Sequence, residues 1–251
     1  MQNKIKIGII GGSGLENPEL ISNYSFKKVT TQYGEPSSKL ILGKISEIPI
    51  VILSRHGNNH SINPTNINYR ANICSLKEEG CTHVFAVTAC GSLRKKIMPG
   101  DFVFPDQFID HTTKRISTFF DSSDVIHTPM SNPFSEKMRN YLIKCSKSLG
   151  FKYHSKGTLV TIEGPRFSTK AESMMFRSWG CDIINMSTVP EVSLARELEM
   201  EYQAIAMSTD YDCWHESEED VTMEIIYSVM KKNVKNVIQL IKKVIPEIRL
   251  N

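Results

Sequence analysis

The sequence predicts an α/β fold, a single domain over residues 1–251 with a central mixed, largely parallel β-sheet flanked by helices. Three observations predict it. Short apolar runs of strand length alternate along the chain with amphipathic stretches of helix length. Six of those runs stop abruptly at Gly, Ser, Thr, Arg, His, Glu or Asp, as inner strands do when they deliver turns to a crevice at the carboxyl edge of an open sheet. Length alone suits one large domain or two small ones, but no linker, repeat or low-complexity tract divides the chain.

The elements follow in order. Ile5–Ile10 reads as an inner strand that opens into Gly11-Gly12-Ser13-Gly14, a turn able to cradle an oxyanion. Val29–Thr31 and Leu40–Ile45 suggest a hairpin, and Ile50–Leu53 a strand ending at Ser54-Arg55-His56-Gly57. Asn68–Glu79 has helical character and stops at Gly80; Val84–Val87 is a strand ending in Thr88-Ala89-Cys90-Gly91-Ser92. Phe102–Phe104 and Phe108–Ile109 are short strands, and His111–Met130 has the weak periodicity of a long loop. A helix is expected to start at Pro133 and stop at Leu149-Gly150. Leu159–Ile162 is a strand ending in Glu163-Gly164-Pro165-Arg166-Phe167-Ser168, and Thr169–Trp179 a helix before Gly180. Ile183–Met186 runs into Ser187-Thr188, with Val189-Pro190 opening the next helix to Met200. Ile205–Trp214 begins apolar and ends in Ser208-Thr209-Asp210-Tyr211-Asp212, and Thr222–Ile245 forms a last, long amphipathic helix.

Composition excludes several classes of function. Thirty Lys and Arg against 27 Asp and Glu leave a net charge of +3, too mild and too evenly spread for nucleic-acid or membrane binding. Six scattered cysteines without a Cys-x-x-Cys pair indicate neither a zinc site nor a disulfide framework, and no metal is expected. The N-terminus runs straight into a strand without a signal-like segment, so the expected compartment is the cytosol.

The turns carry two kinds of chemistry. Ser13, Arg55, His56, Thr88 and Ser187 each stand at a strand end, and hydroxyls, backbone amides and one fixed cation together suit a free phosphate ion. Taken singly, each has a plainer reading: the glycine turn lacks the third glycine of a dinucleotide fingerprint and the lysine of a P-loop, Arg55 can be a surface charge, and His56 a structural histidine. Asp210 and Asp212, two apart, leave one face of an extended backbone and need a donor-rich partner between them, unless they merely open a turn and cap a helix. Glu163–Phe167 reads either as a tight turn with a stabilising ion pair or as the bearer of a stacking wall, Phe167, for a flat heterocycle.

Gly11-Gly12-Ser13-Gly14-Leu15, Ser54–Gly57, Thr88–Arg94, Thr161–Ser168, Asn185–Glu191 and Ser208–Trp214, in that order and spacing, resemble the methylthioadenosine phosphorylases of the trimeric purine nucleoside phosphorylase family. The resemblance runs from about Ile5 to Ile245, with Ser at positions 13 and 187 where the family often has Thr. It implies a nucleoside phosphorylase-like fold and phosphorolysis of 5′-methylthioadenosine, and by extension of adenosine or other 5′-modified adenine nucleosides, to adenine and the sugar 1-phosphate. Inorganic phosphate is the co-substrate, without metal or organic cofactor. By that likeness Ser13, Arg55, His56, the Ala89 amide and Ser187 hold phosphate, Thr88 and Met186 border the ribose, and Phe167 packs on the base. Asp210 and Asp212 match the purine-binding pair, with Asp210, His56 and Ser187 as the catalytic groups. His60, Met223, Ile226 and His127 of a neighbouring subunit enclose the methylthio group, which implies a homotrimer, alone or paired into a dimer of trimers. The alternatives are a 6-oxopurine nucleoside phosphorylase acting on inosine, guanosine or methylthioinosine, a hydrolase that releases adenine without phosphate, and a nucleotide-binding regulatory module.

Overall fold

Strand β1 (Ile7–Gly11) is buried along its whole length: parallel neighbours, β4 (Ile48–Ser54) and β5 (His83–Ser92), pair both its edges, and helices cover both its faces. The computed structural model describes residues 5–11, 20–121, 125–215 and 222–249. Among them eleven strands join one mixed sheet, in which six of the ten strand pairings are parallel. β4 continues outward through an antiparallel meander to β3 (Leu40–Ile45) and β2 (Ser22–Lys27). On its other side the ten-residue β5 forks. It pairs along most of its length with β11 (Glu201–Asp210), which leads to β6 (Phe102–Val103) and β8 (Tyr153–His154). Its last residues turn to β10 (Ile183–Asn185), then β9 (Thr158–Ile162) and β7 (Gln107–His111).

Alternation along the strands divides the core between the two faces of the sheet. Ile7, Ile9, Phe85, Val87, Ile205 and Met207 pack with α2 (Glu136–Leu149) and α5 (Met223–Arg249), while Ile10, Val84, Ala86 and Ala204 pack with α1 (Tyr69–Glu78) and α4 (Thr188–Glu197). The helices end where their chemistry says they should. The Asn68 side chain accepts from the Ala71 amide at the start of α1, and Thr169 and Glu172 form a reciprocal capping box on α3 (Lys170–Ser178). Among the described residues no helix is long and apolar enough to cross a membrane.

Several local expectations are corrected. Val29–Thr31 is not the hairpin partner of β3; that strand is β2, whose six residues are all exposed and whose short Tyr24/Phe26 alternation is too brief to reveal it. β3 and β4 are joined instead by Ser46-Glu47, both at positive φ as a tight two-residue hairpin requires. Pro133 does not open α2; Ser135 caps it by accepting from the Met138 amide. The strand behind the two aspartates starts earlier, at Glu201.

Candidate active site

One cavity collects the carboxyl ends of β4, β5, β9, β10 and β11 and is closed on one side by α5. Of the residues singled out by sequence, Arg55, His56, His60, Thr88, Ala89, Phe167, Met186, Ser187, Asp210 and Asp212 all line it. Ser13 lies outside the described residues, as do the side chains of Met223 and Ile226. His127 is exposed and does not line the cavity of its own chain.

At the β4 end the side chain of Arg55 is 2% exposed, so its charge needs a partner. Glu191 of α4, fully buried, provides it: the carboxylate receives Arg55 Nε and, at 3.0 Å, Nη2, while Nη1 donates to the Val87 carbonyl at 2.9 Å. The Tyr202 hydroxyl donates to the same carboxylate at 2.9 Å. Arg55 therefore stays cationic and immobile, with its remaining N–H groups left for the cavity. Beside it His56 Nδ1 faces the Ile62 carbonyl at 2.9 Å; a carbonyl only accepts, so Nδ1 carries the proton and Nε2 keeps a lone pair. Burial and then the Arg55 charge push His56 down to about 3, and its ring stacks on His60 at 4.1 Å. His60 is lowered by the same two causes.

The hydroxyls of Thr88 and Ser187 are 3.0 Å apart although 99 residues separate them in sequence. Asn185 arranges them: its Nδ2 donates to Thr88 Oγ1 at 3.1 Å and Thr188 Oγ1 at 2.7 Å, while its Oδ1 accepts from Thr161 Oγ1 at 2.8 Å. Met186 fits because Gly164, at φ +68°, has no side chain; a Cβ there would stand 2.5 Å from the Met186 sulfur.

At the opposite end a register shift between Ser208 and Asp210 opposite Cys90-Gly91 turns Asp210 into the cavity. Thr209 Oγ1 donates to Asp210 Oδ2 at 2.7 Å and the Asp212 amide to Oδ1 at 2.8 Å. Asp212 is not in extended backbone, as its spacing suggested. It opens a 3-10 turn, Asp212–Trp214, at φ +51°, so an amide rather than a shared ligand separates the two carboxylates. Desolvation raises both above the usual carboxylate range. The Ser168 and Ser173 hydroxyls lie near enough to Asp212 to lower it in part, but neither meets it in bonding geometry, and its buried Oδ2 has no partner. Gly91 makes room for the pair: a Cβ there would lie 2.9 Å from Asp210 Oδ1 and 3.3 Å from Asp212 Cβ.

Sequence reasoning missed Glu191, Asn185 and the α5 side chains Met230, Val234 and Val237 that cover the cavity. A glutamate beside a helix start gives no sign that it will be fully buried; the one available clue was that a buried Arg55 would need an acidic partner. The ion pair suspected within Glu163–Phe167 does not form. Glu163 pairs with Arg115 at 3.4 Å, and Arg166 with Glu172 at 2.7 Å. The whole arrangement sets fixed donors and a cation at one end of a largely apolar cavity and two protonatable carboxylates at the other. Such a cavity can hold an anion and a polar heterocycle on either side of a sugar.

The chain matches the sequence model of the phosphorylase superfamily over residues 6–246. It is 54% identical over 249 residues to the S-methyl-5′-thioadenosine phosphorylase of Danio rerio, covering 97% of this chain and 89% of that one. Among solved structures it superposes with a TM-score of 0.95 and 40% identity on the methylthioadenosine phosphorylase of Schistosoma mansoni in complex with adenine, over 99% of this chain and 93% of that one. A mutant of the adenosine/methylthioadenosine phosphorylase of the same organism, in complex with methylthioadenosine, matches at 0.94 and 39%, with the same coverage.

Proposed function

This chain belongs to the phosphorylase superfamily, and we propose that it is a single phosphorylase domain that cleaves S-methyl-5′-thioadenosine with inorganic phosphate to adenine and 5-methylthioribose 1-phosphate. One observation carries the assignment of roles: the Asp210–Asp212 pair faces, across one cavity, the Arg55–Thr88–Ser187 donor cluster.

A phosphate held by Arg55, the Ala89 amide, Ser187 and Ser13 attacks C1′ as the C1′–N9 bond breaks and its electron pair moves into the purine. A C1′–O bond replaces C1′–N9, and the phosphate charge stabilises the cationic sugar between them. Asp210, raised by burial, presents a proton to N7 and so drains the charge gathering on the leaving base. The Asp212 carboxylate, at the cavity wall, suits a 6-amino donor; a 6-oxo purine would set acceptor against acceptor at a cost of about 1–3 kcal/mol. Phe167 packs on the base, Met186 and Thr88 border the ribose, and His60 bounds the methylthio end. His56 orients phosphate through its free Nε2, which accepts the hydroxyl proton of the phosphate.

The enzyme works as a homotrimer in the cytosol, with phosphate the only co-reactant. The exposed Ile116, Val125, Ile126, Met174 and Trp179 support a subunit contact, and His127 stands next to two of them in sequence. Six free thiols, five of them buried, support a reducing compartment. The test is base release from methylthioadenosine, adenosine and inosine, with and without phosphate. Phosphate-dependent adenine release, fastest from methylthioadenosine, is expected. Dominant inosine cleavage, or adenine release independent of phosphate, overturns the reading.

A further inference from the structure

Asp212 poses a physical problem that Asp210 does not. A buried carboxylate, with no partner in bonding geometry for its Oδ2, is held on a residue in the left-handed region. A free turn would relax by swinging that carboxylate out to water, so something outside the cavity must hold it in.

The 3-10 turn that starts at Asp212 ends at Trp214, which does not line the cavity but is bolted behind it. Its indole Nε1 donates to the Ser92 carbonyl at 2.7 Å, tying the turn to the end of β5, one residue past Gly91. The Arg177 guanidinium of α3 lies over the indole face at 3.6 Å and itself donates to the Leu93 carbonyl. Tyr211 meets the ring edge-to-face, with centroids 6.0 Å apart. The turn is thus pinned at Ser92, and the Arg177 that covers its indole at Leu93, next to the position where the absence of a Cβ makes room for both aspartates.

We propose that Trp214, backed by Arg177, is the positioning residue that sets the preference for 6-amino over 6-oxo purines by holding the Asp212 acceptor in the cavity. The inference rests on the phosphorylase reading above and deepens it. Trp214 touches neither substrate nor phosphate; it acts through the turn.

The experiment compares kcat/KM for methylthioadenosine and methylthioinosine in the unsubstituted enzyme and in W214F and R177M. W214F keeps an aromatic face for Arg177 and removes only the indole donor; R177M keeps the indole bond and removes the stack. Both variants should narrow the preference for the amino substrate at least about tenfold while the KM for phosphate stays within about twofold. An unchanged preference in folded W214F and R177M, or an equal loss on both substrates, overturns the proposal. Should W214F fail to fold, W179F leaves Trp214 as the sole indole of the two in the chain. Its emission should then shift on saturation with adenine and not with phosphate alone; an emission blind to adenine counts against the proposal. If the unsubstituted enzyme releases no adenine from methylthioadenosine, the parent reading fails instead, and the two failures are distinct.

Discussion

Asp210 and His56 are both perturbed by burial, but in opposite senses, and the signs predict different behaviour. Desolvation raises Asp210, so the neutral acid that can serve N7 persists to a higher pH than in an ordinary aspartate. D210N keeps the shape and a hydrogen-bond donor but has no transferable proton. It should lower kcat for adenine release about 10²- to 10⁴-fold, with a far smaller effect on KM, in a steady-state assay. For His56 the unfolded chain takes up a proton near 6.5, whereas the folded protein resists until about 3. Between those values the unfolded state binds more protons, so stability falls as the pH is lowered through that window, by up to about 1.4 kcal/mol per pH unit from this residue. Denaturant midpoints of the wild type and H56N between pH 7 and pH 4 should show a shallower acid loss in the variant. Single residues also set the limit of sequence reading. Arg55, His56 and Asp210 were legible because each follows an apolar run. Glu191 and Asn185 were not, because their work consists of holding other side chains from more than 90 residues away.

At the scale of elements, the site depends on how the carboxyl end of β5 is shared. Its last residues pair with β10, and the close approach of β11 delivers Asp210 against Gly91, where a side chain has no space. In G91A the new methyl would have to displace Ile184 Cγ2, 3.1 Å away, or the Asp210 carboxylate. That variant should fold, lose more than about tenfold in kcat/KM for the nucleoside, and keep the KM for phosphate, because the Arg55–Glu191 anchor is on the other side of β5. Parallel initial rates with each substrate varied would check it. The apolar runs and glycine stops made β1, β4, α1 and α3 readable within a few residues, whereas β5 runs on to Ser92 through what reads as its turn. β2 escaped because its alternation, Tyr24 and Phe26 alone, is too short to read on an edge strand exposed on both faces, and the Asp212 turn escaped because its positive φ comes from tertiary restraint rather than from any glycine.

For the molecule as a whole, the exposed apolar residues around positions 116, 125, 126 and 179 predict self-association. Light scattering should give three times the 28.4 kDa chain mass. H127A should raise the KM for methylthioadenosine more than that for phosphate, through the subunit next to the one that carries the change; a monomer with full activity would remove both expectations. The sequence by itself determined the fold class, the order of the turns and the residue types that gather at the strand ends. Those depend on periodicity and on which chemistry follows each strand, and both are local properties of a chain. Only the tertiary structure decided that Glu191 neutralises Arg55, that the Thr88 and Ser187 hydroxyls meet beside Asn185, and that Trp214 ties the Asp212 turn to Ser92. These depend on distances between residues far apart in sequence, which are set when the sheet closes its strand ends around one cavity and burial makes every unpaired charge costly.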